Sequence, residues 1–169
     1  MRNEKLKKLV LAALFAAIAC VATVVIVIPI PATNGYLNPG DAVVLFGAFA
    51  LGPVWGAAAG GIGTAMADLL LGYAAYVPGT LVIKGVMAFL AGALYRGLHT
   101  RLGCVKAALL GGIAGECVMV LGYFLYESIL LGYGMAALAA VPANALQGLV
   151  GMVTAAALAK TVLHRRALV

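Results

Sequence analysis

The chain has 169 residues, 65% of them hydrophobic and 9% charged, where an ordinary soluble domain carries roughly 25% charged residues. Its mean hydropathy is +1.13, and a soluble domain of this size exposes too much surface to hide such a composition. A soluble, disordered or disulfide-scaffold protein is excluded. The chain reads as an all-α polytopic membrane protein, one domain over residues 1–169.

The apolar runs divide at turn signals. A first helix from about Leu6 to Ile28 is too long for the apolar core of a signal peptide and fits a membrane span, which needs about 20 residues. It stops at Pro29 and Pro31. Residues 29–40, PIPATNGYLNPG, are a loop by their prolines, glycines and asparagines. A second helix, Asp41 to Leu51, is about 17 Å long, short for a crossing, and breaks at Gly52-Pro53. A third runs from Val54 to Leu71, a loop follows over Gly72 to Gly79, and a fourth covers Thr80 to Leu98. The fifth spans Cys104 to Leu131 and ends at Gly132-Tyr133-Gly134. The sixth covers Pro142 to His164.

The net charge is +6, and it is the distribution of the basic residues that fixes the topology of this bundle of six transmembrane helices. Arg2, Lys5, Lys7 and Lys8 form one clump, Arg96, Arg101 and Lys106 a second, and Lys160, Arg165 and Arg166 a third; only Lys84 stands apart. Six crossings put all three clumps on one side. The opposite loops, 29–40, 72–79 and 132–141, contain no lysine or arginine. The positive-inside rule then places both termini in the cytoplasm. Basic residues arranged this way face a membrane surface and not nucleic acid. The competing arrangement is five crossings with a re-entrant second segment, which splits the terminal clumps between the two faces.

Small residues recur at four-residue spacing: Ala12/Ala16 and Ala13/Ala17 on helix 1, Gly52/Gly56/Gly60 running into Thr64 on helix 3, Gly111/Gly115 on helix 5, and Gly151/Ala155/Ala159 on helix 6. Such faces let helix backbones approach closely in lipid. On helices 3, 5 and 6 they read as internal packing. The helix-1 stretch LAALFAAIA can receive either a neighbour of the same bundle or a helix of another protein. Cys20, Cys104 and Cys117 have no metal-like spacing and read as buried small hydrophobes.

Charges inside the membrane each cost roughly 2.5–3.5 kcal/mol on insertion scales and so demand a reason. They are Asp41, Asp68, Lys84, Glu116 and Glu127, with Asn38, Tyr73, Tyr76, Tyr123, Asn144 and Gln147 as uncharged companions. By helix direction, Asp68, Lys84, Tyr123, Glu127, Asn144 and Gln147 fall at one level, the extracellular half. A structural account pairs Asp68 with Lys84, lets Asp41 cap helix 2 and leaves Glu127 solvated near the headgroups. A cluster drawn from four helices and confined to one leaflet instead predicts an outward-facing polar pocket. Nothing points to catalysis or a metal. Ser128 is the only serine, no H-E-x-x-H or Cys/His ligand set occurs, and no cofactor is expected.

Residues 35–85, GYLNPGDAVVLFGAFALGPVWGAAAGGIGTAMADLLLGYAAYVPGTLVIKG, together with six short helices and an alanine-rich first helix, resemble the substrate-binding (S) components of energy-coupling factor (ECF) vitamin transporters. The likeness is to the riboflavin-type branch, which includes pyridoxine and hydroxymethylpyrimidine carriers. The resemblance implies a subunit of a bacterial or archaeal cell membrane. It would capture a vitamin outside, dock through Ala12, Ala13, Ala16 and Ala17 onto a membrane T component driven by two cytoplasmic ATPases, and release the vitamin inside. It also implies a lid formed by residues 29–40. Tyr36 and Asn38 of that lid then join Asp68, Tyr76, Lys84, Tyr123, Glu127, Asn144 and Gln147 as expected substrate-binding residues. One lysine among several acids, tyrosines and amides disfavours a nucleotide. It fits pyridoxine or hydroxymethylpyrimidine, with riboflavin as the alternative vitamin. A structural membrane protein with no ligand is the alternative class.

Overall fold

A computed structural model describes residues 2–30 and 33–163. Pro31, His164, Arg165 and Arg166, which figured in the expected turns and basic clumps, lie outside the described residues. Among those described, six α-helices alternate in direction: α1 (Arg2–Val25), α2 (Gly40–Leu51), α3 (Pro53–Leu70), α4 (Val77–Leu102), α5 (Cys104–Leu125) and α6 (Val141–Leu158). One π-helical turn, Tyr126–Leu130, extends α5 and another, Ala159–Leu163, extends α6, which a 3-10 stretch, Gly134–Ala140, precedes. Prolines 53, 78 and 142 sit in the first turns of α3, α4 and α6, where a missing N–H costs nothing.

The first correction concerns the end of helix 1. The helix ends at Val25, and Ile28–Ile30 forms a strand, β1, paired antiparallel with β2, Gly35–Leu37. Asn34 takes a positive φ of 53° at the turn, a backbone state that Asn tolerates. The predicted loop is therefore a hydrogen-bonded hairpin lying across one end of the bundle.

Helix α2 is the central pillar. It packs on α1, α3, α4 and α6, and Val44, Leu45, Ala48 and Phe49 are all buried. A helix that is apolar all round is buried all round. Glycines set the helix spacing: a Cβ on Gly56 would stand 2.5 Å from the Ala48 Cα of α2, and one on Gly111 of α5 would stand 2.7 Å from the Ala91 carbonyl oxygen of α4. The small-residue faces of α3, α5 and α6 are internal packing, as read from sequence.

Among the described residues, four helical stretches, Asn3–Val25, Val77–Leu102, Cys104–Leu130 and Gly134–Leu163, are long and apolar enough to cross a membrane. The outer surface suits lipid, with Leu14, Val21, Val82, Leu125, Leu146 and Val153 all exposed. Cys117 is exposed there and Cys20 and Cys104 are only partly buried, so the cysteines are not the core residues expected. The short turns and the alternation gather Lys5, Lys7, Lys8, Arg96, Arg101, Lys106 and Lys160 at the end opposite the hairpin; Lys106 and Lys160 line one groove there.

Candidate functional site

The alternation of helices brings the polar residues of α3 to α6 to the hairpin end. They surround one cavity, whose lining includes all nine residues expected to bind substrate: Tyr36, Asn38, Asp68, Tyr76, Lys84, Tyr123, Glu127, Asn144 and Gln147. Thr23, Ile30, Gly35, Thr64 and Thr80 complete the wall. The cavity is narrow, about 30 Å³ for the centre of a water-sized sphere, which is room for one or two waters.

The floor is an ion pair, but not the expected one. Lys84 Nζ pairs with Asp41 Oδ1, and the two side chains are 2% and 0% exposed. Asp41 lies in the first turn of α2 and makes no capping bond; its side chain points into the bundle. Gln147 Nε2 donates to the other Asp41 oxygen at 2.7 Å, and Gln147 Oε1 accepts from the Asn38 backbone N–H at 2.8 Å. One amide thus joins α6 to the floor and to the hairpin's exit strand. Lys84 Nζ also lies 5.5 Å from the centre of the Tyr123 ring, within cation–π range.

Asp68, expected on Lys84, instead accepts a 2.6 Å hydrogen bond from the Tyr36 hydroxyl of the hairpin. The Tyr76 hydroxyl reaches both the Thr33 carbonyl and Glu127 Oε1, the latter at 3.2 Å. Burial first, and the neighbouring Asp68 second, hold the Tyr36 phenol well above its ordinary pKa. Burial and the Glu127 carboxyl do the same for Tyr76. Both phenols therefore remain donors at any physiological pH. Glu127 is 2% exposed and is not solvated at the headgroups as the structural account supposed. The π-helical turn that contains it aims it inward while its neighbours Ile129 and Leu130 face out. Thr80 and Tyr123 share a 2.9 Å hydroxyl contact, and Asn144 is buried at the rim.

Several buried polar atoms have no partner among the described residues: Asp68 Oδ2, Glu127 Oε2, both oxygens of Glu116 and the Thr33 hydroxyl. The first two belong to cavity-lining residues. Glu116 lies behind the wall; Cβ atoms on Gly148 and Gly151 would come within 2.8 and 3.2 Å of its carboxylate. Such orphaned acceptors are uncommon in native proteins and call for an explanation.

Alanines of α1 split into two sets. Ala12 is buried and packs with Leu51 and Ala59, with Ala16 against the same cluster. Ala13 and Ala17 are exposed. The four alanines are thus not one surface: half already serves this bundle.

The chain is thus an apolar multi-helix bundle with a hairpin-covered polar cavity at one end, the build of a multi-pass membrane protein. The chain belongs to the family described as ECF-type riboflavin transporter, S component, which it matches over residues 3–164. It is a multi-pass membrane protein of a vitamin-transport family, not of an enzyme family. It is 31% identical over 157 residues, 92% of this chain and 87% of the relative, to the thiamine precursor transporter HmpT of Lactococcus lactis subsp. cremoris (strain MG1363). It is 43% identical over 114 residues, 68% of this chain and 74% of the relative, to an "uncharacterized protein in gap 3'region" of Pyrococcus woesei.

Proposed function

We propose that the chain is the vitamin-capturing subunit of an ECF importer and that its ligand is a thiamine precursor, hydroxymethylpyrimidine, bound in the cavity beneath the hairpin. The observation that carries this reading is the cavity wall. Asp68 and Glu127 each present a buried acceptor oxygen with no donor among the described residues, while the lysine of the wall, Lys84, is already occupied by Asp41. Such a wall asks for a small molecule rich in N–H and O–H donors. Hydroxymethylpyrimidine offers an exocyclic amine and a hydroxyl around a flat ring that tyrosines can flank. The name of the Lactococcus relative supports the same choice. Pyridoxine, with three hydroxyls, is second. Riboflavin needs a far larger opening of so narrow a cavity, and only the family description favours it.

The hairpin end faces outward and the basic end, with both termini, faces the cytoplasm, where it meets the T component and the ATPases. The one-sided charge supports this orientation. All six helices then cross, α2 reaching the surface through the hairpin. A cysteine at position 75, in a chain freed of its native cysteines, is labelled from outside and one at position 100 is not; the reverse pattern sinks the orientation.

Calorimetry of the detergent-purified chain with hydroxymethylpyrimidine, pyridoxine, thiamine and riboflavin tests the ligand. Hydroxymethylpyrimidine is expected to bind tightest. Tight riboflavin binding without pyrimidine heat would overturn the choice.

A further inference from the structure

Within and directly behind the cavity stand four carboxyl groups, Asp41, Asp68, Glu116 and Glu127, and one ammonium, Lys84, all 7% exposed or less. Asp41 and Lys84 neutralise each other. Holding all the remaining acids as bare anions at such burial would be costly. Hydrogen-bond accounting separates the two that line the cavity. The Tyr76 hydroxyl has one proton and two acceptors in reach, the Thr33 carbonyl and Glu127 Oε1. The carbonyl has no proton to give. The Thr33 carbonyl takes the shorter contact, so Glu127 Oε1 receives at most a share of the Tyr76 proton, and the weaker support favours Glu127 as the neutral acid of the two. Asp68 differs. The Tyr36 hydroxyl has Asp68 Oδ1 as its partner, which favours the carboxylate, and Oδ2 remains bare on a residue only 3% exposed. Lys84, Tyr36, Tyr76, Thr80 and Tyr123 face the same cavity, and of these only Lys84 is a cation.

We infer that the pocket takes its ligand with a protonated ring nitrogen, and that the Asp68 carboxylate is the counter-ion receiving that N–H through Oδ2. The ligand class is a weakly basic nitrogen heterocycle. The neutral base gains one proton, either from water or from a pocket acid, and no covalent bond changes. Glu127 serves as an uncharged hydrogen-bonding partner on another edge. The inference rests on the pocket being the vitamin site proposed above, and it adds the charge state that the site selects. Non-basic ring systems of similar outline are rejected, because they leave Asp68 buried without a donor.

The test uses the intact chain in detergent with hydroxymethylpyrimidine and pyridoxine carrying nitrogen-15 in the ring, at a pH where the free pyrimidine is neutral. The bound ring nitrogen is expected to show the chemical shift of the protonated base. Asp68→Asn should weaken binding roughly tenfold to a hundredfold, the range for a hydrogen bond to a charged group, and return the shift toward the neutral value in what remains bound. Glu127→Gln should leave the protonated shift in place. The wild-type spectrum decides alone if Asp68→Asn does not fold: a neutral-base shift overturns the inference. Pyridoxine bound with a protonated nitrogen, in a chain that ignores hydroxymethylpyrimidine, upholds the inference and overturns the choice of vitamin. Binding of riboflavin alone, or of none of these compounds, overturns both.

Discussion

The two halves of the bundle are held together by opposite means. At the hairpin end, helices meet through polar pairs: Lys84 with Asp41, Gln147 with Asp41, Thr80 with Tyr123, and Tyr36 with Asp68. At the basic end they meet through alanine and glycine. Ala48, Ala91, Ala107, Ala108 and Ala155 are wholly buried, and Gly92 lies so close to Ala48 that a Cβ would stand 2.9 Å from its carbonyl oxygen. In lipid the second kind of contact needs no partner beyond shape. The first kind is costly whenever one member is missing. A bundle built for stability alone would use small residues at both ends. Concentrating the polar pairs at one end, around a cavity, is intelligible if that end must open and bind.

The largest expected effect follows from the ion pair. Lys84→Met leaves Asp41 buried with only Gln147 for company and should destabilise the chain by about 3–5 kcal/mol, read by unfolding in detergent. Asp41→Leu combined with Lys84→Met should recover most of that loss, since a well-packed apolar pair often replaces a buried ion pair at little cost. A double variant as unstable as the single one would show that Lys84 has a second, unrelated structural role.

Where glycine and alanine carry the packing, the expected cost is smaller and has a different origin. A Cβ on Gly63 would collide with the Ala16 carbonyl of α1. Gly63→Val should therefore push α1 from α3 and cost about 1–3 kcal/mol, the usual toll of overpacking. The same unfolding measurement reads it. No loss of stability would mean that α1 is not seated on α3 as described.

This division explains what the sequence reveals and what it hides. Polar groups in apolar runs are rare, so Asp68, Lys84, Glu127, Asn144 and Gln147 announce themselves, and helix direction alone puts them at one level. Pairing is another matter. Lys84 on α4 is within plausible reach of acids on two helices, and only the tertiary register seats it on Asp41. Asp41 follows Pro39-Gly40 and so looks like a cap, yet nothing local reveals that its side chain turns inward. The β-hairpin is hidden because Ile28-Pro29-Ile30 continues an apolar helix and its partner, Gly35–Leu37, lies beyond a turn. Thr23, Thr64 and Thr80 escape notice as cavity residues because threonines in apolar helices commonly bond their own preceding turn, as Thr23 and Thr64 do. The π-helical turn that delivers Glu127 has no local sequence signature.

The smallest expected effect on the isolated chain separates the two faces of α1. Ala12 is 6% exposed, against Leu51 and Ala59, and Ala12→Leu should lower the unfolding temperature. Ala17, one turn away on the other face, is exposed, and Ala17→Leu should change stability by no more than about 0.5 kcal/mol. Ligand affinity should also be unchanged, since no residue of that face lines the cavity. Uptake by cells is where Ala17→Leu should tell. If Ala13 and Ala17 receive a helix of the T component, three added carbons hold that helix away and transport falls while binding persists. Uptake equal to wild type would remove these two alanines from the docking surface. Because Ala12 and Ala16 are already committed to α3 and its neighbours, the surface would then have to be sought on another helix.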